Sequence, residues 1–471
     1  MRRHCAVGAD IVPSFESFPL RAELLANLKS LAYDEATAIQ AATLPEALNG
    51  RDILAQAQTG AGKTAAFALP LLNALQVKRF RIQALVLCPT RELAAQVAAE
   101  LRKLARQIHN IKILSLCGGQ PIGPQIASLE HGAHIIVGTP GRIEDHLRKG
   151  RLHLAELRTL VLDEADRMLD MGFRDSIDTI VEACPAKRQN LLFSATYSDA
   201  VRSVAASYLY KPAQISVEAQ HQHKNIEQRF YRIQDGDQRF EAVLLLLMAE
   251  HAESAIVFCH TKKEVQECAA YLQQHGLVAL ALQGDMDQRD RDRTLVRFAN
   301  GSATVLVATD VAARGLDIDD VQLVLNCQLS RDVEVHTHRV GRTGRAGGQG
   351  LACSLFTDKE RYKLEALSEA RGLEAELYDL PERGLLQQDA PQPRMHTLQL
   401  DLGKKQKLRA GDIVGALCKD NTLSFDELGK IDVLPMTSFV AVQRNKASKA
   451  LERLKSGKIK GRQIKVRLLR R

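Results

Sequence analysis

The sequence predicts an α/β chain of two tandem parallel-sheet domains followed by a small α+β domain. Three observations carry this. Short apolar, β-branched runs alternate with helical stretches through the first 370 residues. The series starts afresh near Ser254. Beyond a proline-bearing break, short strands and helices follow in the order β-α-β-β-α-β, a split βαβ sandwich.

The first series is DILAQ (52–56), ALVLCP (84–89), KILSLCG (112–118), HIIVGT (134–139), TLVLDE (159–164) and NLLFSAT (190–196). Nearly continuous apolar runs suit strands buried on both faces, as in a parallel sheet. The second is SAIVFCH (254–260), VALALQG (278–284), TVLVATD (304–310), LVLNC (323–327) and LACSLFT (351–357). Two successive domains fit these better than one very wide sheet. The expected boundaries are 1–210, a polar linker 211–224, 225–370, a second linker 371–394 and 395–471. The last segment reads as strands TLQLDL, KIDVLP, SFVAVQ and QIKVRLL around helices RAGDIVGAL and NKASKALERLKSG.

Of 471 residues, 45% are apolar and 25% charged. That is a globular mix, which excludes disordered, collagen-like and coiled-coil chains. The longest apolar run, AVLLLLMA from Ala242 to Ala249, is too short to cross a bilayer. The first residues lack an apolar signal region, and Asp10 and Glu16 argue against a transit peptide, so a cytoplasmic protein is expected. Nine cysteines without CxxC spacing predict free thiols, with no disulfide and no structural zinc. The His221/His223 and His336/His338 pairs lack further ligands and predict no metal site.

Charge is uneven. Residues 394–471 carry 19 Lys+Arg against 7 Asp+Glu, whereas the other 393 residues carry 45 against 49. A short segment holding all the positive excess points to a polyanion, with nucleic acid the leading candidate.

AQTGAGKT (57–64) follows the first strand and matches a phosphate-binding loop except for Ala57 at the first glycine position. Small residues let backbone N–H groups surround phosphate oxygens; Lys63 supplies a charge and Thr64 a hydroxyl for Mg²⁺. GAGKTA also fits a dinucleotide fingerprint. That reading needs an acid about 20 residues on, and none stands between Thr64 and Arg91. VLDEAD places Asp163, Glu164 and Asp166 past a strand, where one carboxylate can hold Mg²⁺ and its neighbour can activate water. Alone, it reads equally as a solvated helix start. In HRVGRTGRAG, Arg339, Arg342 and Arg345 are spaced to share a helix face. They suit charge building on a γ-phosphate, or surface ion pairs if isolated.

These motifs, with PTREL (89–93), GG (118–119), TPGR (139–142), SAT (194–196), QGDMDQRDR (283–291) and ATDVAARGLDI (308–318), stand in the order of the DEAD-box RNA helicases of superfamily 2, which the chain resembles over about Phe15 to Thr357. The resemblance implies two RecA-like domains and an ATP-dependent RNA helicase using Mg²⁺. It implies that the loop Ala57, Gln58, Thr59, Gly60, Ala61, Gly62, Lys63 and Thr64 binds ATP, with Thr64 and Asp163 at the metal. Glu164 activates water, Arg339 and Arg342 contact the γ-phosphate, and Asp317 the ribose. Ser194 and Thr196 couple nucleotide state to RNA. Arg91, Gly119, Thr139, Arg142, Gln288, Arg291 and Thr309 line the RNA backbone. In the adenine segment AYDEATAIQ (32–40), Gln40 reads the base, with Ala32 and Ala38 in place of the family's glycine and proline; upstream, Phe15, or alternatively Phe18, stacks on adenine, and before Gly284–Asp285 Gln283 replaces the family's histidine.

The basic segment is similar to the RNA-binding domain of DbpA-type bacterial helicases, which implies an RRM-like fold. Its RNP1 strand PMTSFVAV keeps Phe439 and Val440 but lacks the other aromatics that base stacking uses. Lys404, Lys405, Lys407, Arg409, Lys458, Lys460 and Arg462 form a basic rim suited to a structured hairpin. The resemblance implies 23S ribosomal RNA as partner during 50S subunit assembly. The alternative is a non-catalytic RNA-binding or annealing protein.

Overall fold

Alternate residues of one strand show why the sheets are parallel and double-covered. In β2 (Ala84–Leu87), Ala84 and Val86 belong to one apolar cluster, while Leu85 and Leu87 belong to another on the opposite face. A strand buried on both sides cannot alternate polar and apolar residues, so it reads as a continuous apolar run. The computed structural model describes residues 13–57, 60–217, 226–313, 321–344, 348–371, 375–419 and 423–469.

The first sheet comprises β1 (Ile53–Gln56), β2, β3 (Ile113–Leu116), β4 (Ile135–Gly138), β5 (Thr159–Leu162), β6 (Gln189–Ser194) and β7 (Ala213–Ser216). All its pairings are parallel, in the order β3-β4-β2-β5-β6-β1-β7. Parallel strands bring their C-terminal ends to one edge, where α/β proteins bind ligands. Six sequence motifs leave from that edge: 57–64, 89–93, 118–119, 139–142, 163–166 and 194–196.

The second sheet comprises β8 (Ile226–Arg232), β9 (Ala255–Phe258), β10 (Ala279–Leu282), β11 (Val305–Ala308), β12 (Leu323–Asn326), β13 (Gly350–Phe356) and β14 (Leu377–Tyr378). It too is parallel throughout, in the order β10-β11-β9-β12-β13-β8-β14. Both stretches expected to be linkers carry structure. β7 lies within 211–224 and pairs with β1, with Ile215 and Val217 packed on the first core. β14 lies within 371–394 and pairs with β8; beyond it, Leu385, Leu386 and Ala390 pack on the second core. Few apolar residues set in polar sequence hid these edge pieces.

The third sheet is antiparallel: β15 (Met395–Leu400), β16 (Leu428–Val433), β17 (Ser438–Gln443) and β18 (Val466–Leu469), in the order β16-β17-β15-β18. Helices Ala410–Cys418 and Ala447–Ser456 cover one face through Leu398, Leu400, Val440, Val442, Ile413 and Leu454. The opposite face presents Thr397, Gln399, Phe439 and Ala441, every one buried. There the turn after helix Gln288–Ala299 meets β15. Asn300 Nδ2 donates to Thr397 Oγ1 at 2.9 Å, and the Ser302 and Thr397 hydroxyls lie 2.6 Å apart. Gln392 Nε2 also donates to the Gly276 carbonyl at 3.0 Å, and Arg394 pairs with Glu253. The small sheet thus packs on the second parallel-sheet domain through the very face that an RRM commonly offers to bases.

Candidate nucleotide and RNA sites

The loop after β1 is tied on both sides. The Ala57 amide donates to the Ser194 carbonyl at 3.0 Å, and Thr37 Oγ1 donates to the Ala61 carbonyl at 2.8 Å. Gly62 begins helix Lys63–Ala74 at φ +90°, and a Cβ there would lie 2.5 Å from Gln40 Nε2. Glycine is required twice over, by backbone hand and by space. Gln40 is buried; its Oε1 accepts the Thr37 amide at 2.9 Å and its Nε2 donates to the Gly62 carbonyl at 3.0 Å. An amide side chain keeps one further donor and one further acceptor after those two bonds. Phe15, expected to stack on adenine, is 3% exposed and packed against Phe18. Gln58, Thr59 and Asp317 lie outside the described residues.

Lys63 Nζ, Asp163 Oδ1 and Ser194 Oγ are buried without a hydrogen-bond partner among the described residues. Burial pushes the Asp163 carboxyl up to about 7, against the pull of the Lys63 charge and with Glu164 adding to the rise. Unsatisfied buried groups of opposite charge are costly unless something pairs with them. A phosphate on Lys63 and a divalent cation on Asp163, with the Thr64 hydroxyl at the helix start, fit these orphans.

The turn after β5 carries three further contacts. Glu164 has φ +54° and ψ +53°, the left-handed region, and its Oε2 accepts from Arg167 Nη1 at 2.9 Å with both side chains buried. Asp166 Oδ2 accepts the amides of Ala195 and Thr196, each at 3.0 Å, while its Oδ1 accepts the Arg167 amide at 2.9 Å. Gln56 Nε2 reaches the Ala195 carbonyl at 3.4 Å. The segment 194–196 is therefore held by Asp166 and by the strand entering the phosphate loop. Sequence reading passed over the roles of Asp166 and Arg167, since spacing alone does not say which backbone a carboxylate will meet.

At the same sheet edge, Arg91, Gly119, Thr139 and Arg142 come together. Arg91 Nη1 donates to the Gly118 carbonyl at 3.4 Å, the Gly118 amide to Thr139 Oγ1 at 3.5 Å, and Arg142 Nη1 to the Gln120 carbonyl at 3.3 Å. Gly119 has φ +69°, and a Cβ on it would lie 1.6 Å from Arg91 Nη1.

In the second sheet domain, Gln288 and Arg291 lie on helix Gln288–Ala299. Gln288 Nε2 donates to Asp292 Oδ1 at 2.6 Å, and Arg291 Nη2 to the Ala312 carbonyl at 2.9 Å. Thr309 Oγ1 accepts the Ala312 amide at 3.3 Å. Arg339, expected at the γ-phosphate, is paired within its own domain. It is 2% exposed, and its guanidinium donates to both Asp310 carboxylate oxygens, to Asn326 Oδ1 and to the Gln328 carbonyl. It also lies over the Phe258 ring at 5.3 Å. These contacts anchor helix Val333–Val340 within its own domain. Arg342 is also buried, and Arg345 lies outside the described residues.

In the small domain, exposed Lys404, Lys405 and Lys407 precede helix Ala410–Cys418. The Lys404 and Lys405 amides donate to the Leu434 and Pro435 carbonyls at 2.8 and 3.0 Å. Lys460 reaches the Lys407 carbonyl and pairs with Asp412 at 3.1 Å, which joins the two basic stretches at one edge, with Lys458 exposed close by in sequence.

A phosphate loop and a carboxylate-tipped strand on one edge of a parallel sheet define a P-loop nucleoside triphosphatase, here with a second sheet domain and a basic accessory domain. Comparison with known proteins agrees region by region. The DEAD/DEAH box helicase family matches residues 37–204, the helicase conserved C-terminal domain 238–347 and the DbpA RNA binding domain 397–468. The chain is 49% identical over 446 residues to the ATP-dependent RNA helicase DbpA of Escherichia coli, covering 95% of this chain and 97% of that one. It is 35% identical to Bacillus subtilis DbpA, covering 96% and 98%. Among solved structures, S. cerevisiae Dbp5 bound to RNA and ADP BeF3 matches with TM-score 0.68 at 31% identity, over 78% of this chain and 95% of that one. The chain belongs to the DEAD-box ATP-dependent RNA helicases, enzymes whose ATP hydrolysis depends on RNA. No helix among the described residues is long and apolar enough to cross a membrane.

Proposed function

We propose that this enzyme separates short RNA duplexes in the cytoplasm and is brought by its C-terminal domain to 23S ribosomal RNA during 50S subunit assembly. The observation that carries the enzymatic part is the pair of buried, unpartnered groups Lys63 Nζ and Asp163 Oδ1 at the edge where the motifs converge. Lys63 binds ATP phosphates, and Thr64 and Asp163 hold Mg²⁺, which when bound neutralises charge on phosphate oxygens. Glu164 orients the attacking water and takes its proton. Gln40 recognises adenine through its remaining donor and acceptor, and Asp317 the ribose. Closure of the two sheet domains on ATP and RNA brings Arg342 to the γ-phosphate.

Arg91, Gly119, Thr139 and Arg142 on one domain, with Gln288, Arg291 and Thr309 on the other, follow the RNA backbone and read no sequence. Ser194 and Thr196, held by Asp166, pass nucleotide state to that track. Targeting falls to the basic edge of Lys404, Lys405, Lys407, Lys458 and Lys460. The covered sheet face favours this edge over base stacking. Escherichia coli DbpA, similar over 95% of this chain, supports an RNA helicase with an RNA-binding C-terminal domain.

The experiment is ATP hydrolysis and strand separation by the full chain, with a 23S hairpin against a scrambled RNA of equal length. Selective stimulation by the hairpin is expected; equal stimulation at every salt concentration would remove the ribosomal assignment. Glu164→Gln should slow hydrolysis at least ~100-fold, the scale of a general base, with ATP and RNA binding intact.

A further inference from the structure

Arg167 is the side chain that fixes the Glu164 carboxylate. The two groups are 4% and 5% exposed, and their single bond, Nη1 to Oε2, measures 2.9 Å. A buried ion pair of this kind adds little net stability, because desolvating both charges offsets their attraction. What it supplies is orientation. The need for orientation is visible in the backbone: Glu164 is held at φ +54°, a conformation L-residues adopt only at a cost. The same short helix also fixes Arg167 from its other side, through Asp166 Oδ1 on the Arg167 amide.

We propose that Arg167 is a positioning residue for hydrolysis: it grips Glu164 by Oε2 and leaves Oε1 as the oxygen that receives the proton of the attacking water. This rests on the reading of Glu164 as the base. The role differs from that of Asp163 and Lys63, whose Oδ1 and Nζ atoms have no hydrogen-bond partner among the described residues. Arg167 already has its partner, and its work is done before ATP arrives. Removing it leaves the carboxylate buried and free to rotate. Misplacement by about 1 Å is enough to cost about 100-fold in rate.

The test uses the full chain at saturating RNA, comparing wild type, Arg167→Ala, Arg167→Met, Arg167→Lys, Glu164→Gln and the Glu164→Gln/Arg167→Ala double variant. Turnover, KM for ATP and the half-activating RNA concentration are read for each, with circular dichroism as the check on folding. Arg167→Ala and Arg167→Met should lower kcat by about 10- to 100-fold while both half-saturation values move less than about threefold. Arg167→Lys, which keeps a charge and one donor but loses the planar fork, should recover part of the loss. The double variant should be no slower than Glu164→Gln, because a positioning residue has nothing left to position.

Three results would overturn the proposal: a double variant slower than Glu164→Gln by the full single-variant factor, wild-type turnover in Arg167→Met, or loss of fold in all three Arg167 variants. Wild-type turnover in Glu164→Gln would instead remove the base reading itself, and the Arg167 role with it.

Discussion

Asp310 accepts both arms of the Arg339 guanidinium, Nε on Oδ1 at 2.6 Å and Nη2 on Oδ2 at 2.8 Å. This bidentate pair ties helix Val333–Val340 to the start of the helix after β11. It gives Arg339 a partner in its own domain, which the arginine spacing does not reveal. Arg339→Ala leaves a partly buried carboxylate, Asn326 and the Gln328 carbonyl without their donor, so it should cost about 3–5 kcal/mol in denaturant unfolding. Arg342→Ala should act on chemistry, slowing hydrolysis by roughly 10³-fold, the scale of an arginine finger. Unfolding of the Arg339→Ala chain at the wild-type midpoint, or normal turnover in Arg342→Ala, would undo that division.

Ala32 occupies a glycine position. Helix Ala22–Ser30 ends with the Ala32 amide on the Lys29 carbonyl at 3.1 Å and the Tyr33 amide on the Leu28 carbonyl at 3.0 Å, a Schellman motif with Ala32 at φ +55°. Glycine is usual there because it has no Cβ to strain. Ala32 is exposed, so its methyl group contributes no packing. Ala32→Gly removes about 1–2 kcal/mol of left-handed strain, and greater unfolded-chain freedom offsets about 0.5–1 of it. The net gain should be about 0.5–1 kcal/mol in thermal or denaturant unfolding. A loss of stability would mean that the turn relaxes in solution.

Periodicity located eleven of the fourteen strands in the two large sheets, because double burial writes itself as runs such as ALVL and TLVL. It missed β7, β8 and β14, two of them edge strands placed by pairing more than by apolar content. Motif spacing singled out Lys63, Asp163 and Glu164, since each follows a strand end that composition betrays. It could not foresee the Arg339–Asp310 pair: Arg339 and Arg342 lie in one arginine repeat, and Asp310 stands 29 residues away in sequence, after β11. Phe15 shows the same limit. An aromatic near a nucleotide segment reads as a stacking ring, yet whether its face is open depends on core packing that no local pattern records.

Glu360 gives an acid-sensitive contribution with a definite sign. Burial raises its carboxyl, but the Arg239 guanidinium at 2.6 Å, the Thr357 amide and Lys363 outweigh that and pull it down to about 2. A folded-state value below the unfolded one means the stabilisation is present above about pH 4.3 and is lost as pH falls toward 2. Between pH 5 and about 2, wild type should therefore lose stability more steeply than Glu360→Gln, which has no carboxyl to protonate there. Denaturant midpoints across that range measure it. Parallel curves would show that the network is open to solvent.

The contact between the small domain and its neighbour sets the last prediction. Thr397 Oγ1, Asn300 and Ser302 form a buried cluster in which each hydroxyl or amide satisfies another, and Thr397 and Ser302 are 0% and 2% exposed. The basic edge of Lys404, Lys405 and Lys407 lies outside this cluster, so binding and docking are separable. Thr397→Val keeps shape but strands two polar partners, at about 1–3 kcal/mol per group. Strain placed there loosens the small domain from the motor without touching the basic edge. Hairpin affinity should stay within about twofold of wild type, as expected for distant sites. The hairpin concentration that half-activates ATP hydrolysis should rise roughly fivefold or more, because bound RNA is no longer held in register with the track. The paired measurement is hairpin binding by fluorescence and hairpin-stimulated hydrolysis on one preparation. If both curves shift together, Thr397 belongs to the RNA surface; if neither shifts, the docked face has no part in delivering RNA to the motor.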